Sequence, residues 1–126
     1  MDKITYVFDI DGTICETNGS DYINSIPALE RIKKVNDLYH DGHTVFFLTA
    51  RGMGRSNNNQ LEAYKELYSF TEKQLNEWGV KYHALFLGKP AADIYVDDKA
   101  IGDKDFFKNK KQLKDLKDIC YNTHEK

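Results

Sequence analysis

Four short apolar runs, each closed by a charged or hydroxyl-bearing group, constrain this chain more than any other feature. Ile4 to Ile10 encloses Asp9 and is followed by Asp11-Gly12-Thr13. Thr44 to Thr49 leads into Ala50 and Arg51, Tyr82 to Leu87 into Gly88-Lys89-Pro90, and Ile94 to Val96 into Asp97-Asp98-Lys99. Short runs that are apolar throughout suit strands buried on both faces of a sheet. Between them lie segments with helical spacing. Ser25 and Pro27 open the first helix, Ser25 near its N-cap and Pro27 in its first turn; Leu29, Ile32, Val35, Leu38 and Tyr39 follow, and Gly42 closes it. A loop at Arg51 to Asn59 precedes a helix at Gln60 to Ser69. Thr71-x-x-Gln74 has the form of a capping box, so a second helical piece is expected to restart there and end at Gly79. Residues 105 to 120, with Phe106, Leu113, Leu116 and Cys120 roughly on one face, read as a terminal helix.

Strands alternating with helices predict an α/β fold: a three-layer, Rossmann-like, mostly parallel sheet with helices on both faces. The length of 126 residues fits one domain, 1–126. The polar stretch at 14 to 25, with Asn18-Gly19-Ser20, reads as a loop or small hairpin flap. The intervals from Asp11 to Thr49 and from Thr49 to Lys89 are each already filled by a loop, a helical region and a strand. A separate cap of roughly 50 residues has no place in either.

Composition narrows the function classes. With 18 basic and 20 acidic residues the net charge is −2, which argues against nucleic acid as a partner. No apolar run approaches a membrane span, and residues 1 to 10 lack the pattern of a secretory leader. Cys15 and Cys120 form no Cys-x-x-Cys pair and are read as thiols of a reducing compartment, so the cytoplasm is expected. The lysines at 104 to 117 alternate with acidic residues and read as a solvated helix face.

In parallel α/β sheets, ligands bind beyond the carboxyl ends of the strands. Each polar group there has an ordinary reading when taken alone: aspartates after strands are often turn residues, and a lysine before proline is often a surface charge. Together they form one chemical set. Four carboxylates at one sheet edge would repel one another unless a cation lay between them, and hard oxygen ligands suit Mg²⁺. A lysine and a threonine supply the positive charge and hydroxyl that an anionic ligand needs. Asp9 and Asp11, two apart on an extended segment, leave the same face. An EF-hand reading fails, because the sixth position counted from Asp9 is Ile14 and the twelfth is Ser20.

DIDGT at 9–13, LTAR at 48–51, GKP at 88–90 and VDDK at 96–99 resemble the motif set of the haloacid dehalogenase (HAD) superfamily, the aspartate-nucleophile phosphatases. The short chain and the GKPAADIYVDDKAI stretch look most like the small capless phosphatases of capsule and lipopolysaccharide biosynthesis. The resemblance implies Asp9 as nucleophile, Asp11 as general acid and then base, and Thr49 and Lys89 as holders of the phosphoryl oxygens. Ala50 and Arg51 would stand beside the substrate, although Arg51 lies outside the superfamily's shared core. Mg²⁺ would be held by Asp9, the main-chain carbonyl of Asp11 and Asp97, with Asp98 close by. The implied activity is hydrolysis of a small phosphomonoester, a sugar phosphate in the narrower resemblance. The acid role needs a protonated Asp11, and crowding by other carboxylates would raise its pKa.

Two other readings share these residues. A response-regulator receiver domain also gathers acidic groups, a threonine and a lysine at strand ends, but it has an adjacent acidic pair after its first strand. A HAD phosphotransferase or an inactive relative would carry the same motifs. Without a cap, water exclusion falls to the flap, a bulky substrate or a second subunit. Tyr22, Ile23 and Ile26 would suit a subunit contact, so a homo-oligomer, dimer or tetramer, is expected.

Overall fold

The computed structural model describes residues 2–108. Contacts group the chain into two compact units, Met1–Ala91 and Ala92–Lys126, where the sequence reads as one domain. The first unit holds an α/β core. Strands β1 (Thr5–Phe8), β4 (Thr44–Thr49) and β5 (Ala84–Leu87) form a parallel sheet in the order β1-β4-β5. Helix α1 (Leu29–His40) crosses from β1 to β4, and α2 (Gln60–Glu77) from β4 to β5. Both crossovers step the same way across the sheet, and right-handed crossovers in one direction lay their helices on one face.

Burial follows from that geometry. Phe8, Val45, Phe47, Leu85 and Leu87 are buried on one face, joined by Ile32 and Val35 of α1 and by Ala63, Leu67 and Leu75 of α2. On the other face Val7 is 59% and Phe86 43% exposed. The strands therefore alternate between buried and open positions, where uniform burial on both faces was expected.

The flap is a hairpin of β2 (Cys15–Glu16) and β3 (Ile26–Pro27), with a 3-10 turn at Tyr22–Asn24 between them. This pairing claims Ser25 and Pro27, which the sequence assigns to a helix start. The residue before α1 is Ala28, with no side-chain cap, and Pro27 pairs with Cys15 instead. At the other end Gly42 takes a φ of +94°, as expected for the residue that stops a helix.

Helix α2 is continuous through the expected break. Its N-cap is Asn59, whose side chain accepts from Glu62 N at 3.2 Å. Thr71 sits fully buried in the middle of the helix, so it caps nothing. In the second unit, Ile94 to Val96 is not a strand: Ile94 is 78% and Val96 93% exposed. Helix α3 (Asp103–Lys108) covers the start of the expected terminal helix and buries Phe106. Leu113, Leu116 and Cys120 lie outside the described residues. No described helix is long and apolar enough to cross a membrane.

Candidate active site

Strand register places the motifs of the first unit. Phe8 pairs with Phe47, and Thr49 with Leu87. Continuing those ladders past their ends brings Asp9 to Asp11, Thr49 to Arg51 and Gly88 to Lys89 to one carboxyl edge, as the sequence predicts. The main chain ties two of them together: Lys89 N donates to Thr49 O at 3.3 Å.

After β1 the chain folds into a tight turn. Ile10 O accepts from both Thr13 N, at 3.0 Å, and Ile14 N, at 2.9 Å. Gly12 takes a φ of +83° and donates to Cys15 O at 2.9 Å, which starts the flap. Asp9 stands half-buried before this turn. Its Oδ2 accepts a long bond from Thr13 Oγ1, 3.4 Å, and its Oδ1 lies 3.8 Å from Lys89 Nζ. Burial raises the Asp9 carboxyl above its ordinary pKa, and the Lys89 ammonium opposes that shift without cancelling it. Thr49 is buried, and its Oγ1 accepts from Arg51 N at 3.2 Å, leaving the hydroxyl proton to donate elsewhere.

Asp11 and Arg51 depart from expectation. The Arg51 side chain is 0% exposed, so it is neither a surface charge nor open to a substrate in this arrangement. Its Nη2 meets Asp11 Oδ1 at 2.9 Å and its Nε meets Asp11 Oδ2 at 3.0 Å. A guanidinium fork on both carboxylate oxygens is a strong, planar pairing. Thr17 Oγ1 adds a third donor, 2.5 Å from Asp11 Oδ1. Having given its only proton to Asp11, Thr17 must accept from Ser25 Oγ, 2.7 Å away across the flap. Arg51 and Thr17 thus bring donors to Asp11, while the Asp9 carboxylate also lies close enough to interact with it.

The turn after β4 explains why Arg51 points inward. Gly52 and Met53 are buried with it, and Gly52 has a φ of +79°. A Cβ there would lie 3.0 Å from Leu67 Cδ1 and 3.2 Å from Ala63 Cα, so α2 presses against this turn. Gly52→Ala is therefore expected to cost about 2–4 kcal/mol, the strain of a left-handed backbone plus overpacking. Gly54, with open space around it and ordinary φ, is the control. Urea denaturation of both variants checks this, and equal midpoints would contradict the packing argument.

Asp97 and Asp98 belong to the second unit and are exposed, with Asp97 Oδ1 accepting from Lys99 N at 2.8 Å. Among the described residues no group of three or more His, Cys, Asp or Glu side chains is gathered to hold a metal. The donor chemistry of the first unit nonetheless suits Mg²⁺. Asp9 keeps acceptor capacity beyond its bonds from Thr13 Oγ1 and the Ile10 main chain, and the Asp11 main chain adds a second hard oxygen. Mg²⁺ commonly needs only one or two carboxylates, completing its octahedron with waters and substrate phosphate.

Sequence reasoning missed Thr17, Tyr22 and Thr71 as neighbours of this site. Thr71 Oγ1 accepts from Arg51 Nη1 at 3.3 Å, and the Tyr22 ring centroid lies 4.7 Å from the guanidinium carbon. Thr71 lies 20 residues from Arg51, and Thr17 and Tyr22 lie in the flap outside any motif, so none of them carried a local signal. His43 and His83 stay structural: their Nδ1 atoms accept from Ile4 N and Val45 N, each at 3.1 Å.

The chain is similar to a Vibrio cholerae protein of known crystal structure, 26% identical, with a TM-score of 0.82 over 97% of this chain and 98% of that one. No protein-family model and no curated protein matches the chain.

Proposed function

We propose that this chain is a Mg²⁺-dependent phosphatase of the HAD type, acting on a small phosphomonoester through an aspartyl phosphate on Asp9. The observation that carries this reading is Asp9 at the carboxyl edge of the sheet, with the Lys89 ammonium 3.8 Å from its Oδ1. A carboxylate beside a cation at that edge can meet an anionic substrate whose charge the lysine offsets. Sugar phosphates are the substrate class, with capsule or lipopolysaccharide biosynthesis as the setting that the motif resemblance suggests.

In the first half-reaction an Asp9 oxygen attacks phosphorus, the bond to the alkoxide breaks, and Asp11 gives that alkoxide a proton. In the second, Asp11 takes a proton from water, whose oxygen attacks phosphorus. Inorganic phosphate leaves and the Asp9 carboxylate is restored. Both Asp11 oxygens already accept, from Arg51 and Thr17, so receiving a proton in the second half needs one of those donors to let go. Before the first half it must carry a proton on an oxygen that one of those donors releases. Thr49 and Lys89 hold the phosphoryl oxygens, the first with its hydroxyl proton and the second with its charge.

Asp9 and the Asp11 carbonyl are the residues of the first unit proposed to hold Mg²⁺. When bound, the ion would offset the repulsion between carboxylate and phosphate and polarise the phosphoryl group. A screen of sugar phosphates and nucleotides, with and without Mg²⁺, tests the reading. Phosphate release is expected with Mg²⁺, loss of it in excess chelator, and no recovery with Ca²⁺, whose longer bonds and larger ligand number fit a different site. Undiminished release in chelator would remove the metal role, and no release from any ester would favour a receiver-type phosphoacceptor. Ile23 and Ile26 of the flap, both exposed, make a homo-oligomer the proposed state, to be checked by light scattering.

A further inference from the structure

We propose that Arg51 is a positioning residue for Asp11, and that the flap clamps it through the ring of Tyr22. The catalytic part of this rests on the reading of Asp11 as the proton carrier.

A buried guanidinium is costly unless its charge and donors are matched. Arg51, 0% exposed, is matched on three sides. Two of its nitrogens fork onto Asp11, at 2.9 and 3.0 Å, and a third reaches Thr71 Oγ1 at 3.3 Å. The guanidinium carbon lies over the Tyr22 ring, 4.7 Å from its centroid, within cation–π range. A planar fork sets the plane of the carboxylate as well as its position, which a lysine ammonium cannot do.

The flap is seated by the same helix that supports Arg51. Gln74, three residues beyond Thr71 and so on the same side of α2, donates from Nε2 to Tyr22 O at 2.6 Å. Thr17, on the flap, donates directly to Asp11 Oδ1 at 2.5 Å. Asp11 is therefore fixed twice by the flap, once through Thr17 and once through Tyr22 and Arg51. Shifting the flap would loosen both restraints together. The position of the proton carrier is thus coupled to the flap.

The test compares Arg51→Lys, Tyr22→Ala and Tyr22→Phe on an alkyl and an aryl phosphate. Misplacing a catalytic group by about 1 Å can cost about 10²-fold, so Arg51→Lys is expected to lower kcat on the alkyl ester by about that factor. KM should barely move, and the aryl ester, whose leaving group needs little proton transfer, should lose less. Tyr22→Ala should follow the same pattern more weakly, and Tyr22→Phe, which keeps the ring, should recover most of the loss. Unchanged kcat, a change confined to KM, or equal losses on both esters would overturn the positioning role. Should Arg51→Lys fail to fold, the Tyr22 pair carries the comparison.

A second measurement does not depend on turnover. The Arg51 Nε–H proton, followed by ¹⁵N NMR, should exchange slowly in the wild type and at least about tenfold faster in Tyr22→Ala. An active wild type with fast exchange would overturn the clamp alone. A wild type that protects this proton yet hydrolyses no phosphomonoester would overturn the catalytic reading and leave the clamp standing.

Discussion

Asp9→Asn is expected to lose at least about 10⁴-fold in turnover, the scale seen when a covalent nucleophile is removed from a working site. Asparagine keeps the shape of the side chain and can still accept from Thr13, 3.4 Å away, but it offers no anionic oxygen to attack phosphorus. The variant should nonetheless be more stable than the wild type at neutral pH. Burial raises the Asp9 carboxyl pKa in the folded state above its ordinary value of 3.8. The folded protein then binds that proton more tightly than the unfolded chain does. Its stability is greatest below both pKa values and falls as pH rises through the interval between them. At pH 7 the wild type bears the whole cost of the buried charge, and asparagine bears none. Thermal melts in chelator should show Asp9→Asn melting above the wild type at pH 7, with the gap closing as pH drops toward 3.8. Substantial phosphate release by the purified variant would exclude the aspartyl phosphate. A gap that widened on acidification would show that burial does not dominate the charge at Asp9.

The element order was legible because each long apolar run has one physical solution in a sheet covered by helices. Val45 to Leu48, contiguous and bounded by threonines, could scarcely be anything but a central strand, and Phe47 at its centre is fully buried. The shortest run was the least informative. Ile94 to Val96 has the composition of a strand, but three residues carry no period, and the chain leaves them exposed. Local signals also misled where a tertiary partner outbid them. Pro27 has the φ of a helix start, yet pairing with Cys15 holds it in the flap. Thr71 has the spacing of a cap, yet its hydroxyl serves Arg51 from inside a continuous helix.

The chemistry of the site was legible as a list of groups, because the carboxyl ends of parallel strands converge wherever the strands are placed. Asp9, Asp11, Thr49 and Lys89 could be collected from the strand ends alone. What each group pairs with could not be read this way. Arg51 follows the Thr49 strand end and looks like a substrate contact or a surface charge until Gly52 and Met53 are seen to turn the chain under α2. Its partner lies 40 residues upstream, and no periodicity connects them. The donors around Asp11 went unread for the same reason: carboxylates can be counted along a sequence, but donors arriving from a flap and a turn cannot.

That pairing shapes what Asp11→Asn should do. Loss of proton transfer should cost about 10²–10⁴-fold on alkyl phosphates and less on aryl phosphates, whose leaving groups depart with little help. The same substitution removes the counter-charge from a guanidinium that is 0% exposed. Asparagine can accept from one arm of the fork, so the other donor is left buried and unmatched, a penalty of about 1–3 kcal/mol or more for a charged group. Turnover and stability should therefore fall together, and stability loss could be mistaken for the cause. The double variant Asp11→Asn/Arg51→Met separates them, because replacing a whole buried ion pair with groups that need no charge partner is often neutral or stabilising. Its melting temperature should recover toward the wild type while its alkyl phosphatase activity stays low. Recovery of both would assign the loss to folding and strip Asp11 of its role in proton transfer. Equal losses on alkyl and aryl esters in the single variant would do the same from the side of the chemistry.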